Sequence, residues 1–205
     1  MTFPALSVCE FTDRLASKDP VPGGGGASAL VGSLGAALGS MVCNLTLGKK
    51  KYAAVEEEIE RLLCETETLR AELLSQIDGD AACFAPLAEA YRLPPDDPNR
   101  AEVLEKATKD ACTVPLAIME ASVKAIDLHE RLAAIGSRLA ISDVGVGVLL
   151  CKSALMGASL NVFINTKTLR DRTFAEEIDR KADALLQQGT KKADAVYASV
   201  LAGLR

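Results

Sequence analysis

The stretch from Val21 to Gly48 carries no charged side chain, and it constrains the fold more than any other part of the chain. It opens with Pro22 and the run Gly23-Gly24-Gly25-Gly26, continues through small and aliphatic residues, and ends abruptly at Lys49-Lys50-Lys51. A proline followed by four glycines exposes backbone N–H groups in conformations that other residues resist. The apolar segment behind it has the length for about five helical turns. Together they predict an anion-accepting turn capping a buried helix, with a merely flexible turn as the alternative.

An uncharged helix of this length must be weighed against a membrane span. Ser28, Gly32, Ser33, Gly35, Gly39, Ser40, Asn44 and Thr46 make it only weakly hydrophobic, so a central helix surrounded by neighbours is expected instead. Ser28, Gly32, Gly35 and Gly39 recur at intervals of three and four, which leaves a smooth stripe for the close approach of another helix. Part of this stripe is expected to serve as a dimer seam.

The remaining chain reads as helix almost throughout. Leu6 to Ala16 is a short amphipathic segment with Ser7 as its cap. Tyr52 to about Tyr91 carries Ile59, Leu62, Leu63, Leu69, Leu73, Leu74 and Ile77 at helical spacing, with Pro86 predicting a late kink. Ala101 to Ile135 is interrupted or restarted at Thr113-Val114-Pro115 and capped by Gly136. Ser142-Asp143 is expected to cap a helix from Val144 to about Asn161, and Phe174 to Leu204 forms the last. Only Leu160 to Ile164 offers a strand alternative. The expectation is an all-α, single-domain helical bundle of about six or seven helices over residues 1–205.

Net charge is −5 with acids and bases interspersed, which opposes nucleic-acid binding. Six cysteines without CxxC spacing read as reduced thiols packed as small apolar groups, and Met1 to Glu10 lacks the pattern of a signal peptide; a cytoplasmic protein is expected.

Several residues can carry chemistry. The glycine run is neither a dinucleotide fingerprint nor a P-loop, since no βαβ unit surrounds it and no GK[ST] follows. Asp80 falls on one helical stripe with Ile77, Phe84, Leu87 and Tyr91, whereas Asp78 lies about 200° away around the helix. An acid on an apolar stripe has its charged form disfavoured and so suits proton transfer, unless a buried Lys or Arg pairs with it. Asp143 is either an N-cap or a second polar group in a cleft. Asn161 and Asn165, four apart, either present two amides to one ligand or cap a helix end. Lys49 and Lys50 suit the negative end of the preceding helix, or hold an anionic tail. His129, beside Asp127, Glu130 and Arg131, reads as exposed and not catalytic. Without clustered His or Cys, no metal site is expected.

Four stretches taken in order resemble the cyclodeaminase/cyclohydrolase family of tetrahydrofolate enzymes, that of the C-terminal domain of formiminotransferase-cyclodeaminase. They are Pro20-Val21-Pro22-Gly23-Gly24-Gly25, Gly35-Ala36-Ala37-Leu38-Gly39-Ser40-Met41-Val42, Asp78-Gly79-Asp80-Ala81-Ala82-Cys83-Phe84 and Asn161-Val162-Phe163-Ile164-Asn165. The family pattern usually has Ser after the three glycines, where this chain has Gly26.

The resemblance implies an all-α homodimer acting on a folate-borne one-carbon unit, with Asp80 as the active-site acid and no cofactor beyond the tetrahydrofolate substrate. On that reading Gly23, Gly24, Gly25 and Gly26 wall the pterin, Asp143, Asn161 and Asn165 bond the ligand, and Lys49 or Lys50 meets its glutamate tail. The two implied reactions are hydrolysis of 5,10-methenyltetrahydrofolate to 10-formyltetrahydrofolate and cyclisation of 5-formiminotetrahydrofolate with loss of ammonia. The absence of a formiminotransferase domain from this sequence tilts the expectation to the cyclohydrolase, with a separate formiminotransferase or formate–tetrahydrofolate ligase as a pathway partner. No nucleic-acid or membrane partner is expected. The rival from another class is a non-catalytic helical dimer scaffold.

Overall fold

The computed structural model describes residues 2–205, which fold into seven α-helices and three short 3-10 turns, with no strand among them. The helices are α1 (Val8–Leu15), α2 (Gly24–Asn44), α3 (Glu56–Tyr91), α4 (Arg100–Ala111), α5 (Thr113–Ile135), α6 (Ile141–Thr166) and α7 (Arg172–Leu204). Local chemistry sets several of their ends. Ser7 Oγ accepts the Glu10 N–H while Glu10 Oε2 accepts the Ser7 N–H at 2.8 Å, a reciprocal cap that starts α1. Asp171 accepts the Phe174 N–H and starts α7. The chain restarts between α4 and α5 at Cys112, with Pro115 in the first turn of α5, where a missing N–H costs least.

Two expectations about helix limits change. Ser142 and Asp143 lie inside the first turn of α6, because the preceding 3-10 turn Arg138–Ala140 feeds directly into the helix at Ile141 and no side chain caps it. The helix then continues to Thr166, so Leu160 to Ile164 is helical. The α3 helix runs through Pro86 to Tyr91.

The uncharged α2 sits inside the bundle, packed against α3, α5 and α6. Two helices, Gly24–Asn44 and Arg138–Thr166, are long and apolar enough to cross a membrane by length and composition; α2 spends that apolarity on the core, with 61% of its apolar window buried. The small-residue stripe is consumed within the chain. A Cβ on Gly32 would meet Ala154 at 3.2 Å, and one on Gly35 would meet Cys151 Sγ at 2.4 Å and Gly147 O at 2.9 Å. These contacts seat α2 against α6, so the stripe is not the outward seam expected from spacing. What α2 turns outward is Leu34 and Met41, followed by Leu45 just past its end.

His129 is also placed differently. It is fully buried, with Nδ1 2.8 Å from Ala125 O and Nε2 without a partner, because α5 points it at α2 and α6. Gly39 and Gly147 leave room for its ring. Burial holds its pKa below the usual value, so the ring is neutral at physiological pH. Ile59, Leu73, Ile77, Ile118, Met119, Ile126, Leu132 and Leu155 are the other large side chains that fill the core.

This packing leaves no space at the core glycines Gly35, Gly147 and Gly189. A Cβ on Gly147 would stand 2.1 Å from His129 Nε2, whereas one on Gly203 would meet nothing within 4 Å. Gly147→Ala should therefore lose about 1–3 kcal/mol and several degrees of Tm. Gly203→Ala should lose neither, as followed by circular dichroism on heating.

Candidate active site

Helical register brings Asp80 to the site. The buried Ile77 and Leu87 fix which face of α3 turns inward, and Asp80 and Phe84 lie between them on that face. There the N-terminus of α2 meets α3: the Gly26 N–H donates to Asp80 Oδ2 at 3.0 Å. The anion accepted by the glycine turn is thus a carboxylate of the chain itself. A Cβ on Gly25 would stand 2.1 Å from Asp80 Oδ1, so only glycine allows the approach. Asp78 faces elsewhere, accepting the Phe3 N–H at 2.8 Å and tying down the N-terminal segment.

On the other side of the turn stands α6. A Cβ on Gly24 would lie 3.3 Å from both amide atoms of Asn161. Asn161 Nδ2 donates to Gly157 O at 3.0 Å, and Asn165 Nδ2 donates at 3.0 Å to Ala111 O, at the restart between α4 and α5 where a helical carbonyl lacks its usual partner. Each asparagine therefore uses one amide hydrogen to orient itself.

These groups surround a cavity of about 210 Å³ whose wall includes Gly23, Gly24, Gly25, Asp80, Asn161 and Asn165. Gly26 is buried just behind it and acts through its N–H. Burial pushes the Asp80 carboxyl above its ordinary pKa, and the Gly26 N–H, together with the positive end of α2, opposes that shift. Among the described residues no Lys, Arg or His forms an ion pair with Asp80.

Three candidates lie elsewhere. Lys49 and Lys50 are exposed beyond the C-terminal end of α2, about 30 Å along that helix from the glycines, and Lys49 Nζ is 3.4 Å from Ser137 Oγ. Asp143 is in the first turn of α6, about 27 Å along its axis from Asn161. Because α2 and α6 each span the bundle, their far ends cannot share this cavity within one chain.

The wall also contains Val21, Phe84, Ala111, Pro115 and Ile164, which were not among the residues expected to form the site. Phe84 was findable, one turn from Asp80 on its stripe. Ala111 and Pro115 come from the α4–α5 restart, whose position over the site no local pattern encodes.

All six cysteines are free; burial pushes the Cys43 thiol up to about 11 and those of Cys112 and Cys151 up to about 12, which makes these three poor nucleophiles.

The family model for formiminotransferase-cyclodeaminase matches residues 7–184. The chain belongs to this family. Among curated relatives, the methenyltetrahydrofolate cyclohydrolase of Methylorubrum extorquens is 43% identical over 194 residues, covering 93% of each chain. The formimidoyltransferase-cyclodeaminase of Mus musculus is 32% identical over 194 residues, and this chain spans 36% of its length. The crystal structure of formiminotetrahydrofolate cyclodeaminase from Thermotoga maritima superposes with a TM-score of 0.84 at 30% identity, covering 96% of this chain and 94% of that one.

The environment of Asp80 fixes the sign of its effect on stability. Its folded pKa is raised, so the folded state binds more protons than the unfolded state between the ordinary value, about 3.9, and the folded value. Folding is therefore favoured as pH falls through that window and penalised above it. Asp80→Asn keeps an acceptor for the Gly26 N–H and removes the buried charge. Its Tm should equal or exceed the parent's at neutral pH, and the difference should shrink on acidification; a difference that grows in acid contradicts the assignment.

Proposed function

We propose that this chain interconverts one-carbon units carried on tetrahydrofolate, hydrolysing 5,10-methenyltetrahydrofolate to 10-formyltetrahydrofolate, with Asp80 moving the proton. The observation that carries this reading is a carboxylate without a basic partner, raised in pKa by burial, standing in a glycine-walled cavity. The Methylorubrum relative, similar over nearly its whole length, supports hydrolysis.

In this mechanism ionised Asp80 takes a proton from the water that attacks the methenyl carbon, giving a tetrahedral carbinol between N5 and N10. Asp80 returns the proton to N5 as the carbon–N5 bond breaks. The carbinol hydroxyl gives up its proton to solvent, leaving the formyl group on N10 and releasing one proton overall. A pKa raised toward neutrality serves both halves of the exchange. Gly23 to Gly25 let the ligand approach backbone, and Asn161 and Asn165 supply hydrogen bonds. No further cofactor enters.

The second reading is the cyclodeaminase, favoured by the likeness to the Thermotoga structure over nearly the whole of both chains. There N10 attacks the protonated formimino carbon, ionised Asp80 takes the proton from N10 and delivers it to the amino group of the tetrahedral intermediate, and ammonia leaves as the methenyl bridge closes. Methenyltetrahydrofolate absorbance sorts the two chemistries: it decays when the methenyl substrate is hydrolysed and rises when the formimino substrate is cyclised. In either case Asp80→Asn should fold and lower kcat by about 10²–10⁴. Near-normal kcat rejects Asp80.

The reading includes a homodimer. Leu139, Val146, Met156, Leu160 and Ile164 form an apolar row along and just before α6, with Leu139 91% and Leu160 69% exposed, and a second copy would cover it. Light scattering should give twice the chain mass for the parent and a shift toward the single-chain mass for Leu160→Arg.

A further inference from the structure

Two polar side chains stand against consecutive residues of the glycine turn. A Cβ on Gly25 would lie within 2.6 Å of both Asp80 carboxylate oxygens, and one on Gly24 would lie 3.3 Å from both Nδ2 and Oδ1 of Asn161. Consecutive Cα atoms are about 3.8 Å apart, so the carboxylate from α3 and the amide from α6 flank one short stretch of the cavity wall.

The amide is held in one orientation. Asn161 Nδ2 donates to Gly157 O at 3.0 Å, one turn back on α6, which commits the nitrogen to the helix and turns Oδ1 into the group left to bond. Gly157 lets α6 come this close, since a Cβ there would stand 2.5 Å from Ser28 Oγ, and Ser28 Oγ in turn donates to Gly24 O at 2.7 Å. Ser28 thereby ties the Gly24 end of the turn to the stretch of α6 that orients the amide.

Asp80 presents a matching group. Its Oδ2 accepts the Gly26 N–H, and no donor among the described residues reaches Asp80 Oδ1 or Asn161 Oδ1. Neither oxygen is sealed in: among the described residues the fully buried side-chain atoms without a partner are Gln76 Oε1 and His129 Nε2. The wall thus offers two free acceptors on neighbouring residues. Water has two hydrogens to give, and two acceptors that take both leave its lone pairs to face the substrate.

We propose that Asn161 acts with Asp80 on the attacking water: Asn161 Oδ1 accepts one of its hydrogens while Asp80 takes the other, which aims the oxygen at the methenyl carbon. The proposal rests on the hydrolytic reading of the Asp80 cleft. As the oxygen–carbon bond forms, one proton passes to Asp80 and the other stays on the carbinol hydroxyl, held by Asn161. When the carbon–N5 bond breaks, its electron pair goes to N5, Asp80 protonates N5, and the hydroxyl proton passes to solvent. Asn165 lies one turn, about 6 Å, further along α6 with its amide on Ala111 O, and is left to bind the ligand.

The test follows hydrolysis of 5,10-methenyltetrahydrofolate by the full chain and its variants. Asn161→Ala should lower kcat about tenfold to a hundredfold and change KM less than about threefold, the pattern of an interaction made with the nucleophile in the transition state. Asn165→Ala should act mainly on KM. Asn161→Asp keeps the side chain and places a second carboxylate beside Asp80, which disfavours ionisation of Asp80. The acidic limb of its kcat/KM pH profile should therefore move up by about one pH unit or more, and further than in Asn165→Asp. Where Asn161→Ala does not fold, the Asn161→Asp profile decides alone. An effect of Asn161→Ala confined to KM, or an acidic limb that stays in place in Asn161→Asp, overturns the role of Asn161 and leaves the Asp80 reading intact. Failure of the parent to hydrolyse the methenyl substrate overturns the hydrolytic reading and this one with it.

Discussion

The contact on which the site depends is the hydrogen bond from the Gly26 N–H to Asp80 Oδ2, made possible by the absence of a side chain at Gly25. It joins the start of the buried helix α2 to the C-terminal third of the longest helix, α3, and it opposes burial in setting the acidity of Asp80. A bulkier turn would push the two helices apart, and a carboxylate without that donor would sit still higher in pKa. The same few atoms therefore determine both the shape of the cavity and the proton affinity of the group inside it.

Much of this was legible in the sequence, for identifiable reasons. Asp80 stood out because helical periodicity is a short-range property, and a charged residue on the stripe of Ile77 and Leu87 breaks it visibly. The restart at Thr113-Val114-Pro115 was marked by proline, and the α1 cap by Ser7 and Glu10. The helix count and the all-α class followed from patterns of the same kind.

The misplacements were long-range. Lys49, Lys50 and Asp143 had suitable chemistry, but their distance from Asp80 follows from α2 and α6 running the length of the bundle. His129 had charged neighbours in sequence, yet Gly39 and Gly147, from two other helices, make the space that buries it. The small-residue stripe correctly signalled close helix approach and could not say whether the partner was α6 of the same chain or a second copy. Spacing encodes that two surfaces can meet, while topology decides which ones do.

A wall built from Gly23, Gly24 and Gly25 offers no side chains to exchange. Altering ligand preference by substitution must therefore work through Val21 ahead of the glycines and through Phe84, Ala111, Pro115, Ile164 and the two asparagines, which come from α3, α4, α5 and α6. The glycine stretch of the pocket behaves as a fixed template, and redesign has the faces around it to work with.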